Sequence, residues 1–445
     1  MSSLLPKRWF PLSPIKEQLQ AYNGKHRFNT LPCGRRSGKT EIIGKRRLIR
    51  RAMKGSKYPN PKFFAGAPTR DQAKRIYWAD LKEMIHPDWR KGEPSEGELV
   101  IRLRNGSDIH VIGLDRPERI EGVGWDGGVL DEYANMKPQV WESHIRPALS
   151  DKLGWCDFIG VPEGRNHYYE LHLRAMAEME EKGEDSEWGA YSWTSSLVLP
   201  KEEVEAAKSS MDPLTFAQEY EASFVNFAGQ AYYTYSQDNV ESVQYDATQP
   251  LIFCFDFNVS PSVAVICQEL EFEDGTEGTA VIGEVYIPRN GNTVAVCSKL
   301  IEDYGDHENV VMCYGDATGA SSGTAQVAGS DWDIIERELR GVFGGRLYMR
   351  VPRSNPRERV RVNAVNTRCC DAEGNVSLRV NPYLAPNLHK DLEGVRVLEG
   401  GSGQIDKKND PKLTHCSDAF GYYIVAEFPV DAEDRVSAFS MESVI

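Results

Sequence analysis

The chain has 445 residues, of which 40% are hydrophobic and 27% are charged. These fractions are close to the averages of soluble globular proteins, and they exclude a wholly disordered, collagen-like or membrane-embedded chain. The length is about three times that of a typical domain of roughly 150 residues, so we expect two large domains or three small ones. Taken alone, the formal net charge of −14 argues against a nucleic-acid partner.

The sequence lacks the usual signals for membrane insertion and secretion. No stretch approaches the roughly 18 consecutive apolar residues of a spanning helix, and the first ten residues are too short and too polar for a secretory signal. The nine cysteines have no metal-binding spacing, and most lie singly in apolar runs, which is typical of reduced core thiols. We therefore expect a cytosolic protein without a membrane partner.

The charge is distributed unevenly along the chain. Residues 1–55 contain fourteen Lys or Arg and two acids, so this segment carries +12. A second basic cluster occupies residues 346–368, whereas acids gather at residues 178–187. Because both basic clusters adjoin the motifs described below, they favour contact with phosphate or nucleic acid, and the acidic run is interpreted as a solvated surface.

In chain order, short apolar runs alternate with amphipathic stretches through the first half. Strands are predicted at residues 28–31, 63–67, 128–130 and 157–161, and helices at residues 40–53 and 72–85. Strands that alternate with helices indicate an α/β fold with a mostly parallel sheet.

The pattern changes after residue 199, and a new series of strands begins at residues 251–257. We therefore predict two domains at residues 1–225 and 248–430, joined by a linker at residues 226–247. The last residues, 431–445, are predicted to form a flexible tail.

A glycine-rich segment lies between the first predicted strand and the first predicted helix. It consists of Gly34, Arg35, Arg36, Ser37, Gly38, Lys39 and Thr40. The backbone N–H groups of such a turn bind the β- and γ-phosphates of a nucleotide, while Lys39 supplies a positive charge and the Thr40 hydroxyl reaches Mg²⁺. Residue 33 is Cys, so the strict G-x-x-x-x-G-K-[ST] spacing is not met. The flanking elements still predict a phosphate-binding P-loop with Mg²⁺.

The predicted strand at residues 128–130 is followed by two carboxylates. Asp131 is suited to Mg²⁺ binding through water, and Glu132 is suited to polarising the attacking water as a general base. A positive charge from the same or a neighbouring subunit can complete such a site. The candidates are Arg35, Arg36, Arg119 and Arg146.

Three acids in the second half lie where divalent cations can be held. Asp256 is near the end of the predicted strand at 251–257, Asp316 follows an apolar run, and Asp418 lies in a predicted helix that begins near residue 414. The carboxyl ends of strands gather at one edge of a sheet, and two Mg²⁺ or Mn²⁺ ions about 3.5–4 Å apart can stabilise both oxygens of a phosphodiester cleavage. This order indicates an RNase H-like nuclease, although 66 acids also offer triples of unrelated loop residues.

Together these segments resemble the large terminase subunit of tailed double-stranded DNA phages, a genome-packaging ATPase and nuclease. The resemblance covers nearly the whole chain. It depends on residues 34–40, 67–73, 119–122, 130–132, 161–166, 216–224, 256–257, 316–319 and 413–419, which occur in the order found in that family.

The resemblance implies a P-loop ATPase domain related to helicase-like folds, followed by an RNase H-like nuclease with a mixed sheet. It implies that Gln18 reads adenine and that Arg119 acts on the ATP of a neighbouring subunit in a homo-oligomeric ring, a pentamer. It also implies that Asp256, Asp316 and Asp418 hold the nuclease metals. The family's coupling motif usually has Thr or Ser where this chain has Val161, so Asn166 becomes the candidate for contacting the γ-phosphate.

The partners implied by the resemblance are double-stranded DNA, the portal protein and the small terminase subunit. The implied location is the host cytoplasm, transiently at the portal vertex of the procapsid. Two other functions stay open: a helicase or repair ATPase with a fused nuclease, and a non-catalytic virion component switched by nucleotide. A helicase would unwind DNA strands, and the virion component would have neither ATPase nor nuclease activity.

Overall fold

A computed structural model describes residues 13–225, 229–257, 261–320, 330–398, 404–407 and 413–430. The tail predicted at residues 431–445 lies outside the described residues. The chain divides into two compact units. The first comprises Met1–Val204 and Ala217–Asn226, and the second comprises Glu205–Phe216 and Phe227–Ile445.

The first unit contains, within the described residues, a seven-stranded sheet in the order β3-β4-β2-β5-β6-β1-β7. All neighbouring strands are parallel except β3 and β4, which confirms the predicted, mostly parallel α/β sheet. The strands are β1 (Phe28–Pro32), β2 (Lys62–Ala67), β3 (Val100–Arg102), β4 (Asp108–Gly113), β5 (Gly127–Asp131), β6 (Trp155–Gly160) and β7 (Trp188–Ala190).

Helices cover this sheet, and the two predicted from periodicity are present. The helix predicted at 40–53 is a π-helical segment, Thr40–Arg47, that continues as α2, and the one predicted at 72–85 contains a second π-helical segment, Lys74–Trp78. A third, Val140–Ile145, precedes α5. The α-helices of this unit are α1 (Lys16–Asn23), α2 (Leu48–Lys54), α3 (Arg70–Ala73), α4 (Ala79–Met84), α5 (Arg146–Ala148) and α6 (His167–Lys182). Two further helices, α7 (Lys201–Ser209) and α8 (Pro213–Glu219), each contain residues assigned to both units.

The second unit contains, within the described residues, a six-stranded sheet in the order β12-β11-β8-β9-β10-β13. Strand β9 is antiparallel to β8 and β10, and the other neighbours are parallel, which confirms the predicted mixed sheet. The strands are β8 (Leu251–Asp256), β9 (Ser262–Glu271), β10 (Glu277–Ile287), β11 (Val311–Gly315), β12 (Leu347–Met349) and β13 (Leu378–Val380). The helices are α9 (Thr293–Tyr304), α10 (Asp331–Phe343), α11 (Glu358–Cys369), α12 (Pro386–Gly394) and α13 (His415–Glu427).

In the described part of the chain, we find no helix with the length and hydropathy needed to cross a membrane.

Much of the predicted linker is packed into the second unit. Tyr232 has no exposed surface. The N–H of Ala231 donates to the carbonyl of Val395 at 2.8 Å, and the Thr234 hydroxyl donates to the Asn366 carbonyl at 2.8 Å. The described residues from 229 to 247 therefore contribute to the core of this unit, while the domain limits predicted from the sequence stay a prediction.

The parallel arrangement in the first unit brings three loops to one sheet edge. Pro32 at the end of β1 lies opposite Gly160 at the end of β6, and Asp131 at the end of β5 lies opposite Ile159. Because the carboxyl ends of parallel strands meet at the same edge, the segments that follow these strands are neighbours. The candidate nucleotide site is built from these segments.

A buried histidine links α6 to β1 and should make the stability of the protein depend on pH. His172 is 9% exposed, its Nδ1 lies 2.9 Å from the Thr30 hydroxyl, and burial lowers its pKa to about 4. In the unfolded chain, His172 binds a proton near its ordinary pKa of about 6.5. In the folded chain, it binds a proton only near pH 4. The free energy of unfolding should therefore fall by on the order of 3 kcal/mol as the pH drops from 6.5 to 4.

Urea unfolding of the wild type and of His172→Gln between pH 4 and 7.5 measures this effect. The variant keeps a polar group for Thr30 but does not titrate, so its free energy of unfolding should depend less on pH in that window. Equal pH dependence in the two proteins would contradict the assignment.

Candidate functional site

The loop that follows β1 has the backbone of a phosphate-binding turn. Arg36 and Gly38 have φ angles of 58° and 81°, in the left-handed region that glycine adopts at low cost. The Lys39 Nζ, on a side chain that is 6% exposed, donates to the Gly34 carbonyl at 3.3 Å. Thr40 begins the following helix, so the loop ends at a helix N-terminus, as a phosphate site requires.

Side chains from distant segments hold this loop. The carbonyl of Ser37 accepts hydrogen bonds from Gln18 Nε2 at 2.8 Å and from Trp193 Nε1 at 2.9 Å. The Ser195 hydroxyl donates to the Arg35 carbonyl at 2.6 Å. A Cβ on Gly34 would lie 2.4 Å from the Ser195 Oγ, so this position requires glycine. The sequence motifs did not identify Trp193 and Ser195, because their roles depend on contacts with residues about 160 positions away.

On the expectation from the sequence that the loop 34–40 binds ATP, replacing Trp193 by phenylalanine should weaken this binding with little effect on turnover. The variant keeps the aromatic ring but removes one donor to the Ser37 carbonyl, and a net hydrogen bond is worth about 1 kcal/mol. We expect the KM for ATP to rise about fivefold and kcat to stay within about twofold. Phosphate release measured against ATP concentration tests this, with Trp89→Phe as the control, and an unchanged KM would contradict the assignment.

The position of α1, which carries Gln18, depends on a buried ion pair. Arg47 and Asp157 have no exposed side-chain surface, and the Arg47 Nε lies 3.2 Å from the Asp157 Oδ2. The same guanidinium donates to the Gly24 carbonyl at the end of α1 at 3.1 Å. Asp157 thus compensates the buried charge of Arg47, and the hydrogen bond from Arg47 to Gly24 ties the end of α1 to the helix that follows the loop.

Asp131, the acid at the end of β5, faces Thr40, the first residue of the helix that follows the loop 34–40. The Thr40 hydroxyl donates to the Asp131 Oδ2 at 3.0 Å, and the Tyr77 hydroxyl donates to the same oxygen at 2.8 Å. Asp131 is 1% exposed, and burial raises its pKa. Thr40 and Asp131 are thus adjacent, as residues that share a Mg²⁺ ion would have to be. Tyr77 also contacts Asp131, and the sequence motifs did not indicate this contact.

Glu132 has the environment of a general base. Its φ of 54° is unusual for a non-glycine residue, and such strain is often found at functional sites. Burial, together with the charge of Asp131, raises the pKa of Glu132 to about 7, while Lys39 opposes this shift. A carboxyl group with a pKa near neutrality is well matched to proton transfer at cellular pH.

The candidate arginines have different surroundings. Arg35 forms an ion pair with Glu219 at 3.6 Å, and its N–H donates to the Glu219 carbonyl at 2.5 Å. Arg36 and Arg119 are exposed. Arg146 lies 3.7 Å from Glu187 and over the ring of Phe28. Arg36 and Arg119 are therefore the two candidates classed as exposed residues, whereas Arg35 and Arg146 form ion pairs within the chain.

The segment after β6 uses Asn166 to cap a helix. The Asn166 Oδ1 accepts the Tyr168 N–H at 2.9 Å as the N-cap of α6, and its Nδ2 donates to the Ala134 carbonyl at 3.1 Å. The buried Gln218 accepts the Gly164 N–H at 3.0 Å. Asn166 is thus used in capping, and Gln218 is a polar contact to this segment that the sequence did not indicate.

The three acids of the second unit line one pocket. Asp256 ends β8, Asp316 follows β11, and Asp418 lies in the first turn of α13. The cavity has a volume of about 350 Å³ and is lined by Asp256, Asp316, Lys407, Leu413, Thr414, His415, Asp418 and Tyr422. The fold therefore brings together residues that are up to 162 positions apart in the chain, and the alternative of unrelated loop acids does not hold for this triple.

Each acid has its own hydrogen-bond partner in the pocket. The Asp256 Oδ2 lies 3.0 Å from the His415 Nδ1, and the Asp316 Oδ2 accepts the Tyr422 hydroxyl at 3.2 Å. Burial disfavours the charged form of Asp316, but hydrogen bonds from Thr318, Asn355 and Tyr422 outweigh burial and lower its pKa. Asp316 is thus held as a carboxylate, which is the form that binds a cation.

The helix that carries Asp418 is fixed by another carboxylate. The Asp391 Oδ2 accepts the N–H groups of Cys416 and Ser417, both at 3.0 Å. These N–H groups have no partner within their own helix, so Asp391 caps α13 from outside. Thr414, with φ of 94°, makes the turn into this helix.

The donor set suits a hard divalent cation. Three carboxylates around one cavity supply the oxygen ligands that Mg²⁺ and Mn²⁺ prefer. Among the described residues, no three His, Cys, Asp or Glu side chains converge on a single metal position, and Asp418 instead contacts Arg361 and Lys407. The residues therefore fit the metal by the chemistry of their donor atoms and by lining one cavity, while Asp418 is held in ion pairs.

The fold and its two sites define an α/β protein with a P-loop unit followed by a mixed-sheet unit that has an acidic pocket. No family model matches the chain. The large terminase subunit of Thermus phage G20c is 27% identical over 228 residues, which are 46% of each chain. The large terminase subunit of Escherichia phage T5 is 26% identical over 227 residues, which are 49% of each chain. The chain thus spans about half the length of the curated relatives it matches.

Solved structures of similar fold come from the same class of protein. The large terminase of a thermophilic bacteriophage superposes with a TM-score of 0.59 at 16% identity, covering 93% of this chain and 99% of that chain. The same protein in complex with ATP-gamma-S gives a TM-score of 0.56. The resemblance to phage large terminase subunits inferred from the sequence is thereby confirmed, and the fold is that of a large terminase.

Proposed function

We propose that this chain is a viral DNA-packaging motor subunit that hydrolyses ATP to move double-stranded DNA into a procapsid and cuts concatemeric DNA with a two-metal endonuclease site. The observation that supports the proposal is that one chain carries both sets of residues. The first unit places loop 34–40 beside Asp131 and Glu132. The second unit gathers Asp256, Asp316 and Asp418 around one cavity.

In the ATPase site, the loop would hold the phosphates while Thr40 and Asp131 hold Mg²⁺, which would neutralise charge on the phosphates. Glu132 would accept the proton of the attacking water, and its raised pKa matches this task. Gln18 already contacts the loop through its amide nitrogen, so adenine recognition by this side chain would be coupled to loop geometry. Arg119 would serve a neighbouring subunit, because it is exposed.

In the nuclease site, Asp256, Asp316 and Asp418 would hold the two metal ions, Mg²⁺ or Mn²⁺. The ions would supply charge stabilisation at the attacking and leaving oxygens of the phosphodiester. His415 would orient Asp256 through their contact at 3.0 Å, and Tyr422 would orient Asp316. Oriented ligands of this kind commonly set metal affinity.

The proposed partners are double-stranded DNA, the portal protein, the small terminase subunit and further copies of this chain in a pentameric ring. The proposed location is the host cytoplasm, transiently at the procapsid portal vertex. Residues 1–55, with a charge of +12, would contribute phosphate contacts, so DNA binding should weaken steeply with salt.

The proposal is tested with purified full-length protein. ATP hydrolysis and Mn²⁺-dependent plasmid cleavage are both expected, without unwinding of a duplex substrate. Unwinding would favour a helicase with a fused nuclease, and the absence of both activities would favour a non-catalytic virion component. An affinity for DNA that did not change with salt would remove the argument from charge.

A further inference from the structure

The carboxylate of Asp418 is engaged by a cationic side chain on each of its oxygens. Arg361 Nη2 donates to Oδ1, and Lys407 Nζ donates to Oδ2 at 2.9 Å. Asp418 is 6% exposed and Arg361 is 4% exposed, so their ion pair operates at reduced solvent screening. A metal ion that uses Asp418 as a ligand therefore meets two internal cations already bound to it.

Arg361 is a fixed part of the site. It is 4% exposed, and its guanidinium lies 4.5 Å from the centroid of the Tyr422 ring. The aliphatic part of the Arg361 side chain packs against α13 at Gly421. A Cβ added to Gly421 would lie 2.6 Å from the Arg361 Cγ. This packing holds the Arg361 guanidinium against Asp418 Oδ1.

Lys407 combines a fixed backbone with a side chain that has room to move. The segment 404–407 is anchored by the Ile405 N–H, which donates to Glu358 Oε1 at 2.8 Å, and by the Asp406 N–H, which donates to the Arg396 carbonyl at 2.8 Å. The Lys407 side chain itself is 48% exposed. Its Nζ also lies 3.4 Å from Glu358 Oε2, so a second anionic partner is within reach of the ammonium group.

We propose that Lys407 is a built-in competitor of the divalent cation at Asp418 and sets the metal concentration that the nuclease requires. A metal ion takes Asp418 Oδ2 only when the Lys407 ammonium leaves it for Glu358 or solvent. Arg361 keeps the other oxygen neutralised and holds the carboxylate in position during this exchange. The inference depends on the metal site of the proposed function and adds a residue that regulates it.

Measuring Mn²⁺ affinity, with no DNA and no nucleotide present, tests the proposal. Mn²⁺ is titrated into the full-length protein, and free Mn²⁺ is followed by electron paramagnetic resonance. Lys407→Met should tighten the dissociation constant of the nuclease site about fivefold, because the competing ammonium is gone. Lys407→Arg should retain the wild-type constant within about twofold. Asp256→Asn identifies the binding that belongs to this pocket, and thermal unfolding checks that each variant is folded.

Lys299→Met is the matched control. Lys299 lies on α9, is 47% exposed, and pairs with Glu302 and Asp303 at 2.9 and 2.8 Å, so its removal changes the net charge and the number of ion pairs in a comparable way. Its Mn²⁺ constant should match that of the wild type. Equal tightening in the two Met variants would attribute the effect to net charge and overturn the proposal.

The remaining outcomes separate this inference from the proposed function. If the wild type binds Mn²⁺ and Lys407→Met binds it equally or more weakly, competition by Lys407 is wrong while the metal site stands. If neither the wild type nor Lys407→Met binds Mn²⁺ in this pocket, the metal site of the proposed function fails, and the competition fails with it.

Discussion

Replacing Glu132 by glutamine is expected to lower the rate of ATP hydrolysis about a thousandfold, because a positioned general base typically contributes 10²- to 10⁴-fold. Glutamine has the same size but cannot accept the proton of the attacking water. The loop, Lys39 and Thr40 are left intact, so the dissociation constant for ATP should stay within about threefold. Phosphate release and binding of a fluorescent ATP analogue measure the two quantities.

The pH dependence of the wild type gives a second measure of the role of Glu132. Burial and the neighbouring Asp131 raise its pKa to about 7, so the carboxylate form that acts as a base increases as the pH rises from 6 to 8. The wild-type kcat should rise over this range, and the residual rate of Glu132→Gln should not. Glu180→Gln, an exposed change on α6, is the control, and a Glu132→Gln variant with normal turnover would refute the assignment.

Replacing Asp256 by asparagine is expected to lower Mn²⁺-dependent DNA cleavage more than about a hundredfold. An amide is a poor ligand for a hard cation, and the metal contributes several kcal/mol of transition-state stabilisation. ATP hydrolysis should be unchanged, because Asp256 lies in the second unit and the loop 34–40 lies in the first. A plasmid-nicking assay over a Mn²⁺ titration, run beside an ATPase assay, measures both activities.

The comparison of the two single changes is more informative than either alone. Glu132→Gln should keep DNA cleavage, and Asp256→Asn should keep ATP hydrolysis. Asp303→Asn, which removes an exposed acid on α9, controls for the loss of a negative charge from the second unit. Normal cleavage by Asp256→Asn would show that the metal is bound elsewhere.

The net charge of −14 has a different meaning once its distribution is known. The basic segment at residues 1–55 includes the loop, and the arginine cluster at 346–368 includes Arg361, which neutralises Asp418. An acidic body with few basic patches would limit indiscriminate binding to DNA. Part of the basic clusters therefore serves the sites themselves, since Arg47 and Arg361 are buried and form ion pairs.

Several strands were not predicted, although the sequence carries a signal for some of them. Strands β9 and β10 form a hairpin around Asp274-Gly275, a typical turn pair, and Gly275 has φ of 80°. Strands β3, β7, β12 and β13 have three residues each, which is too short for periodicity to detect. They are formed by pairing with a neighbouring strand instead.

The sequence by itself determined the α/β class, the order of the two units, the loop at residues 34–40 and the acids that end β5 and β8. These features are local, because an apolar run, a glycine-rich turn and a terminal carboxylate can be identified from adjacent residues. Only the tertiary structure decided which side chains hold the loop, that Asn166 caps a helix, and that Arg361 and Lys407 share Asp418. Those contacts join residues that are far apart in the chain. They form because polar and charged groups that become buried on folding are destabilising unless they have hydrogen-bond or charge partners.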